Sequence, residues 1–497
     1  MLMKYFTPRF YRLFAAFILI IGLATSCFDD RDDNLVPGST SVTLEIKDFV
    51  WKAMNAVYLY KNEISDLADD RFSTDEEYNA YLNSFDTPEE LFESLIYQRE
   101  TVDRFSLIVD DYVALEQQLS GVYKTNGLEY FLYLEPGSND NVFVIVRLVL
   151  HDSPAEEAGI ERGDIITGIN GIELNRDNYI DLLFGSDSFT LNFGNYDDNG
   201  TDILEDDTVT SNSESITLAA RTLNENPVYQ TNIFEVDGKK VGYLVYNGFT
   251  NEYDNQLNDA FGFFKSNNVE ELILDIRYNG GGSVQSASYL GSMITGQFNG
   301  DVFSKLVYND NLQSLNSEYK FSSSFGGNSI NSLGLDRVYV IATGNSASAS
   351  ELLINSLGAY INVIHVGSNT VGKTQASITV YDSPDLGRQG ANPAHTYALQ
   401  PLVATSVNLN NQPVPGTGLT PDILVNETPR DFDLLGDPEE RLLAAALADI
   451  AGNGRFGLRV GDDFIQLESG KKEFPNTGLI IDNPGNLKKS ERFKISQ

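Results

Sequence analysis

The feature that most constrains the fold is the alternation of apolar and amphipathic stretches between residues 225 and 455. "KVGYLVYNGF" has the composition of a buried strand, and "DNQLNDAFGFFKSNN" places its apolar residues at helical spacing. The alternation continues through "ELILDIRYNGGG", "SVQSASYLGSMI", "RVYVIATGN", "SASELLINSLGAY" and "INVIHVG". Strands that alternate with helices in this way predict an α/β core.

The regions before this core have different patterns. Residues 43–118 carry helical spacing in "IKDFVWKAMNAVYLYKNEI", and a helix start at Thr87-Pro88 in "DTPEELFESLIY". We expect a helical N-terminal domain there that packs or dimerises. Residues 119–224 read as short strands, and residues 456–497 as a C-terminal extension with no assigned structure. The whole chain is therefore predicted to be a multidomain α/β (α+β) protein.

The β-rich region contains the stretch "DSPAEEAGIERGDIITGINGIEL". It predicts a helix over 154–158 that ends at Gly159, and then a strand that enters an Asn170-Gly171 turn. This spacing resembles the PDZ domains of bacterial secreted proteases, so the region is expected to be PDZ-like. PDZ folds bind peptide C-termini by strand addition. We expect the carboxylate-binding loop and groove strand in "NGLEYFLYL", and the loop itself at Gly127, Leu128 and Glu129.

The N-terminus has the layout of a secretory signal. A basic start precedes the apolar run "LFAAFILIIGLA", and the small residues of "LATS" lead directly to Cys27. The apolar run is shorter than the roughly 20 residues that a membrane-spanning helix needs. Residues 1–27 therefore resemble a bacterial lipoprotein signal with Cys27 as the lipidated residue, and residues 28–42 read as a linker. We expect an exported lipoprotein at the outer membrane, on the periplasmic face or the cell surface. A short membrane anchor with an incidental cysteine is the alternative.

Charge and cysteine content exclude some classes of function. The formal net charge is −37, from 34 basic and 71 acidic residues, and such a surface repels nucleic acid. Cys27 is the single cysteine, so no intrachain disulfide can form. Residues 195–206, "NYDDNGTDILED", share only part of a calcium-loop pattern and are predicted to be an acidic hairpin turn. No metal site and no cofactor are predicted.

The stretch "GNSASASELL" raises the question of a nucleophile. It follows a buried strand and opens a helix, and a helix N-terminus favours negative charge. This placement suits a nucleophilic serine, although a serine-rich helix cap is the alternative. A nucleophilic serine also needs a base. The sequence around His151, His365 and His395 does not favour any of these histidines in that role. Lys373, in "NTVGKTQAS", is the better candidate, since burial can lower the high pKa of a lysine.

A glycine-rich segment, "LDIRYNGGG", follows another strand. Consecutive glycines let backbone amides approach a ligand closely, although a plain connector would look the same. The lysine and hydroxyl residue of a phosphate-binding loop are missing.

Together with "GTGLTPD", the serine, lysine and glycine segments resemble the C-terminal processing peptidases, also called tail-specific proteases. This is a serine–lysine peptidase family with a PDZ domain. The matching residues, in chain order, are Asp275, Arg277, Asn279, Gly281, Gly282, Ser346 to Glu351, Lys373 and Gly416 to Asp422. The resemblance covers roughly residues 43–455.

The resemblance implies an α/β serine-peptidase core of the ClpP/crotonase-like type, with Ser348 as nucleophile and Lys373 as base. It implies an oxyanion site from the amide of Ala349 and one from the glycine loop, at Gly280 or Gly281. Glu351 is expected to orient the lysine or to cap the helix, with capping preferred.

Some family members carry a glutamine four positions after the lysine, where this chain has Ser377; the nearest glutamine here is Gln375.

The function implied is that of a lipid-anchored serine endopeptidase that acts on unfolded or C-terminally exposed proteins. A catalytically inactive, peptide-binding scaffold of the same family is the runner-up. An unrelated surface-binding lipoprotein is the third possibility.

Overall fold

The computed structural model describes residues 40–452, 464–467 and 479–481. The predicted signal, Cys27 and most of the linker lie outside the described residues, as does most of the C-terminal extension. Within the described ranges, no helix has both the length and the apolar character needed to cross a membrane.

The N-terminal region is mainly helical, as the sequence predicts. Its elements are α1 (Thr40–Val57), α2 (Asp75–Leu82), α3 (Pro88–Ser94), β1 (Leu107–Val109) and α4 (Tyr112–Leu119). The start of α3 is confirmed, because the Thr87 hydroxyl accepts from the amide of Glu90 at 3.1 Å. Side chains of α1, such as Trp51 and Met54, belong to the same apolar cluster as the central sheet. This region therefore shares one core with the rest of the chain.

The PDZ-like region is built on a twisted antiparallel sheet. Its elements are β2 (Val122–Thr125), β3 (Leu128–Leu134), β4 (Val142–Val149), α5 (Pro154–Glu157), β5 (Ile165–Ile169), β6 (Ile172–Glu173), α6 (Tyr179–Phe184), β7 (Ser188–Asp197), β8 (Thr208–Ala219) and β9 (Arg221–Asn224). Asn170 and Gly171 both have positive φ in the β5–β6 turn, as this turn type requires. The acidic stretch after Tyr196 connects β7 to β8, so the predicted hairpin is confirmed.

The central region contains two six-stranded sheets. Its elements are β10 (Val228–Val236), β11 (Lys239–Tyr246), α7 (Asp254–Ser266), β12 (Glu271–Asp275), β13 (Gly282–Ser283), α8 (Val284–Ile294), β14 (Val302–Tyr308), β15 (Ser317–Lys320), β16 (Ser324–Phe325), β17 (Asn328–Ser329), β18 (Arg337–Ala342), α9 (Ala349–Leu357), β19 (Asn362–Gly367), β20 (Gln375–Ser377), β21 (Val380–Tyr381), β22 (Ala398–Gln400), β23 (Leu402–Val407), β24 (Ile423–Leu424) and α10 (Arg441–Ile450). The first sheet has the order β10-β11-β12-β18-β19-β24 and is parallel from β11 onward. The predicted α/β core is confirmed.

The second sheet includes part of the C-terminal extension. Two short strands, β25 (Gln466–Leu467) and β26 (Leu479–Ile480), are described in that extension. Strand β26 joins the second sheet, whose order is β13-β26-β20-β23-β14-β15, and β25 joins the PDZ-like sheet beside β3.

Candidate active site

Three loops meet at one edge of the parallel sheet. The glycine segment follows β12, the serine segment follows β18, and the lysine turn follows β19. These three strands are neighbours and parallel, so their carboxyl ends deliver all three loops to the same place. Ligand sites in open α/β sheets form at this edge.

The three alternating serines differ in what their hydroxyls do. Ser346 Oγ donates to the carbonyl oxygen of Ile276 at 2.7 Å and accepts from the amide of Thr343 at 2.9 Å. Ser350 Oγ donates to the carbonyl oxygen of Asn279 at 2.9 Å. Ser348 Oγ is buried and donates no hydrogen bond to any described residue. Of the three serines, only the middle one keeps its hydroxyl proton free.

Ser348 also has an unusual backbone conformation. Its φ is +64°, in the left-handed region that non-glycine residues rarely adopt. It stands directly before α9, where the first amides of a helix lack intrahelical acceptors. The amide of Ala349, the first residue of α9, has no acceptor among the described residues. A buried hydroxyl and an open amide therefore lie side by side at a helix N-terminus.

Asn279 connects the glycine loop to the serine loop. Its carbonyl oxygen accepts from the amide of Ala347 at 3.1 Å, and its Nδ2 donates to the carbonyl oxygen of Tyr246 at 2.9 Å. Its Oδ1 accepts from the amide of Gly281 at 2.9 Å. The Gly281 amide is therefore already engaged. Of the two amides expected at the oxyanion site, only that of Gly280 has no acceptor within the described part of the chain.

The last glycine of the loop is required by close packing. Gly282 has a φ of +127°, and a Cβ there would lie 2.3 Å from the carbonyl oxygen of Phe249. The amide of Ser283 donates to that same oxygen at 2.8 Å. A side chain at Gly282 would push the loop away from its neighbour.

Glu351 joins the serine loop to the lysine turn through their backbones. Its Oε2 accepts from the amide of Ser348 at 2.8 Å and from the amide of Lys373 at 2.9 Å. Its Oε1 accepts from the amide of Gly372 at 2.7 Å and from the hydroxyl of Thr370. The side chain is fully buried. The carboxylate therefore caps α9, as preferred, and it also holds the main chain of Lys373; its action on the lysine side chain stays a prediction.

Lys373 is buried against the N-terminal region. Its side chain is 4 % exposed, and Nζ lies 4.6 Å from the centre of the Phe105 ring. Gln375, two residues on, donates from Nε2 to the hydroxyl of Tyr60 at 2.9 Å, so it also contacts that region.

The segment "GTGLTPD" packs against the lysine turn. A Cβ on Gly372 would lie 2.3 Å from the carbonyl oxygen of Gly416, and a Cβ on Gly418 would lie 2.0 Å from that of Thr370. The amide of Leu419 donates to the Thr370 hydroxyl at 2.7 Å. The glycines of this segment thus allow two backbones to pack in direct contact beside Lys373.

A cavity of about 680 Å³ lies between the PDZ-like region and these loops. Strand β3 lines one side, and residues 280–283 line another. Ala347 and Val371 also line the cavity. Ser348 directly follows Ala347 in the chain, Lys373 lies two positions after Val371, and both side chains are buried.

The residues expected to form the carboxylate-binding loop lie at the start of β3. Gly127 has a φ of +88° and packs against Ser153, and Leu128 is buried in the PDZ-like core. Glu129 lines the cavity and pairs with Arg147 at 3.1 Å.

Among the described residues, acidic ones outnumber basic ones in the cavity lining. Glu129, Glu225 and Glu252 line it beside one arginine, Arg147, which pairs with Glu129. Burial, together with the charge of Glu129, raises the pKa of Glu225 to about 7.

The histidines are engaged elsewhere. His365 is buried, its Nε2 lies 3.1 Å from the carbonyl oxygen of Ala342, and burial lowers its pKa. His395 pairs with Asp382 at 3.1 Å, and His151 is exposed beside Glu156. None of the three hydrogen bonds to Ser348 Oγ.

A buried ionic network lies below the glycine loop. Arg277 contacts Asp275, Glu427 and Glu440 at 2.7–2.9 Å. Glu427 also bonds Arg162 of the PDZ-like region. Burial alone would raise the pKa of Glu427, but the two arginines lower it to about 2. This network fixes the PDZ-like region to the core.

Sequence reasoning missed Phe105, Glu427 and the bridging role of Asn279. Phe105 and Glu427 lie far along the chain from the residues they contact, and no local pattern marks them. Asn279 belongs to the glycine motif, so the sequence identifies its position, but the sequence does not predict the contacts that its side chain makes.

Comparisons with known proteins agree with these regions. Residues 240–425 match the family model for peptidase family S41, residues 45–107 match the peptidase S41 N-terminal domain, and residues 145–188 match a PDZ domain. A carboxyl-terminal-processing protease of Picosynechococcus sp. is 26 % identical over 349 residues, which is 69 % of this chain and 77 % of the relative. A chloroplastic C-terminal processing peptidase of Tetradesmus obliquus is 27 % identical over 332 residues, or 65 % of this chain and 64 % of the relative.

A solved structure gives the same result. An S41 protease structure from Bacteroides fragilis aligns with a TM-score of 0.67 at 26 % identity, over 82 % of this chain and 97 % of the other.

Proposed function

Because the chain belongs to peptidase family S41, with the N-terminal and PDZ domains that accompany that core, we propose that it is an active serine endopeptidase that uses Ser348 and Lys373. The observation that carries the proposal is the contrast among the three serines. The hydroxyls of Ser346 and Ser350 donate to backbone carbonyls, whereas the Ser348 hydroxyl donates to no described residue. An unsatisfied buried hydroxyl is costly, and catalysis is a reason to keep one.

The proposed first step forms an acyl-enzyme. Ser348 Oγ attacks the carbonyl carbon of the scissile peptide bond while neutral Lys373 Nζ takes the hydroxyl proton. The oxyanion accepts from the amides of Ala349 and Gly280. The C–N bond then breaks, and the amine leaves with the proton returned by Lys373.

The second step restores the enzyme. A water molecule attacks the acyl carbon and gives its proton to Lys373 Nζ. The Ser348 ester bond breaks, the carboxylic acid product leaves, and Ser348 Oγ regains a proton. Glu351 acts in neither step as an acid or base, because both of its oxygens already accept from backbone amides. Its role is positioning.

The substrate is proposed to be a protein or peptide with an accessible C-terminus. The PDZ domain receives the terminal segment along β3, with its carboxylate at the loop that contains Gly127, Leu128 and Glu129. The cavity that joins β3 to the glycine loop supports this path, because one space contacts both. No metal ion or cofactor enters the proposed reaction.

We further propose that the chain is exported and lipid-anchored through Cys27. The support is the order of the N-terminal features: a basic start, an apolar run of about a dozen residues and small residues before the cysteine. Radioactive palmitate labelling of the wild-type chain, beside Cys27→Ser, tests this proposal. Label that persists in the variant would refute it.

The test of the enzyme proposal is cleavage of an unstructured protein, casein, by the chain from residue 28 onward. Wild type, Ser348→Ala and Lys373→Ala are compared between about pH 6 and 10, where a lysine base changes its protonation. We expect wild type to cut and both variants to be inactive. Activity that rises with pH would report the ionisation of Lys373.

The competing function is an inactive peptide-binding scaffold. It would be favoured if wild type bound peptides through the PDZ domain and left casein intact under every condition. Loss of activity in Ser348→Ala alone would point to another base, and His365 would be tested next.

A further inference from the structure

The C-terminal extension contributes a strand to the PDZ domain. Strand β25 pairs antiparallel with β3, in the register Gln466 with Tyr133 and Leu467 with Leu132. The amide of Leu134 donates to the carbonyl oxygen of Ile465 at 3.0 Å. Without β25, β3 would be the edge strand of its sheet, and an unpaired edge accepts further extended chains.

The side chains of this segment differ in their surroundings. Leu467 packs onto the apolar cluster of the PDZ domain and lines the cavity. Ile465, two residues earlier, is 55 % exposed. The segment therefore resembles a bound PDZ ligand, with backbone pairing to one strand and an apolar side chain held by the domain.

The same extension adds a second strand at the catalytic loops. Strand β26 lies between β13 and β20 and is parallel to both. Strand β13 directly continues the glycine loop, and β20 begins two residues after Lys373. The amide of Ile481 donates to the carbonyl oxygen of Ser377 at 3.1 Å, and Ile481 is 5 % exposed. Two strands that border the candidate site are thus joined by the chain's own C-terminal segment.

We propose that residues 464–467 and 479–481 act as an intramolecular inhibitor, here called the tail strands. They occupy the PDZ edge and the strand position between the glycine loop and the lysine strand, so an extended peptide substrate must displace them. This inference rests on the proposed function. The partner class is an extended polypeptide with a free, apolar C-terminus, which competes for the same backbone edge and the same apolar contact as Leu467.

The direction of the chain argues for a blocking role. A substrate held by its C-terminus in the PDZ domain has its scissile bond N-terminal to the held segment. The tail strands have the opposite order, because β25 at the PDZ domain precedes β26 at the catalytic loops. The tail strands therefore occupy the PDZ edge and the strand position at the catalytic loops, but their chain direction differs from that of a substrate. They do not place a peptide bond where a substrate would place its scissile bond.

An intramolecular competitor needs little affinity of its own. A tethered segment has an effective concentration near millimolar, and the apparent affinity of a substrate falls with the fraction of free sites. Loss of the Leu467 contact is expected to raise the fraction of molecules with a free PDZ edge by about tenfold.

The experiment compares Leu467→Asp with the matched control Ile465→Asp, each in the chain from residue 28 onward. Both place one carboxylate on the same short segment, but only Leu467 is packed. The probes are a fluorescein-labelled decapeptide with a C-terminal leucine and a free carboxylate, and casein for cleavage. We expect Leu467→Asp to bind the decapeptide about tenfold more tightly and to cut casein faster, with Ile465→Asp equal to wild type.

Two further measurements make the test decisive. Hydrogen exchange at the Leu134 amide should become fast in Leu467→Asp alone, because its acceptor on Ile465 is lost. A synthetic peptide of residues 464–481, beside a scrambled version, should restore inhibition to Leu467→Asp. Unchanged decapeptide affinity with a released Leu134 amide would overturn the inference, as would equal effects of both substitutions.

Failure of the proposed function gives a different result. If no form cuts casein but Leu467→Asp still gains decapeptide affinity, the tail occupies the groove of an inactive scaffold. If wild type cuts casein and Leu467→Asp is identical to it in rate and affinity, the peptidase stands and the tail inference falls.

Discussion

At the residue scale, the three serines should respond differently to removal of their hydroxyls. Ser346→Ala removes two hydrogen bonds and leaves the amide of Thr343 unpaired, whereas the carbonyl of Ile276 keeps the amide of Asn279 as a donor, so it should cost about 1–3 kcal/mol of unfolding free energy. Ser348→Ala removes a hydroxyl that donates no hydrogen bond and should change stability by less than about 0.5 kcal/mol. Urea unfolding and casein cleavage measure the two effects. Cleavage that survives in Ser348→Ala would contradict the assignment.

Glu351 is the residue that should separate positioning from chemistry. Glu351→Gln keeps the shape but offers one acceptor oxygen where the carboxylate serves the amides of Ser348, Gly372 and Lys373. The backbones of the serine and lysine loops should move apart, and such a displacement lowers kcat by roughly 10²-fold. KM and decapeptide affinity should stay unchanged, because the PDZ edge is not touched. Glu100→Gln, at an exposed residue of the N-terminal region, is the control, and an equal loss of kcat there would refute the positioning role.

At the element scale, sequence patterns could predict the strands and helices but not the way distant elements meet. The alternation after residue 225, the cap at Thr87 and the turn at Asn170 depend on neighbours in the chain, and each is found as expected. The three loops meet because they follow neighbouring parallel strands. The alternation of strands and helices predicts such strands, so it also predicts this meeting.

The contacts that complete the site come from elsewhere in the chain. Phe105 reaches Lys373 across 268 positions, and β26 enters a sheet formed by strands about 100 and 200 residues earlier. Such pairings have no local periodicity, because they depend on complementary surfaces that exist only after folding. For this reason the sequence of the C-terminal extension predicts neither β25 nor β26.

The ionic network between the PDZ domain and the core predicts a pH dependence. The pKa of Glu427 is lowered from its usual value of 4.5 to about 2 in the folded chain. A lowered folded-state pKa contributes stability above about pH 4.5, and that contribution is lost as the pH falls toward 2. Glu427→Gln should therefore cost about 2–3 kcal/mol at pH 7, and the difference from wild type should shrink between about pH 4.5 and 3.

Urea unfolding at several pH values measures that difference. Glu157→Gln is the control, because Glu157 forms an exposed pair with Arg221 and should show no comparable change. A Glu427→Gln penalty that stays constant down to pH 3 would show that the charge of the carboxylate does not cause it.

At the scale of the whole molecule, the arrangement is a peptidase core whose site is reached through its accessory parts. The N-terminal region supplies Phe105 over Lys373, the PDZ domain supplies β3 along the cavity, and the extension supplies β25 and β26. Each part borders the same loops. Substrate access should therefore depend on all of them, whereas the chemistry depends on the loops alone.

The charge of the molecule adds a final expectation about substrates. The chain has a formal net charge of −37, and Glu129, Glu225 and Glu252 line the cavity. At pH 8, above the pKa of about 7 for Glu225, that carboxyl should be ionised, so the cavity lining, in which Arg147 is the one basic side chain that the structure describes, attracts cationic chains. For a basic unstructured protein, kcat/KM should fall on the order of tenfold between about 0.02 and 0.3 M NaCl, since salt screens this attraction. For acidic casein, kcat/KM should rise over the same range.

The variants separate the cavity from the overall charge. Glu225→Gln should flatten the salt dependence for the basic substrate, and Glu100→Gln, an exposed change in the N-terminal region, should not. Equal slopes in both variants would mean that the overall charge, and not the cavity, attracts the substrate.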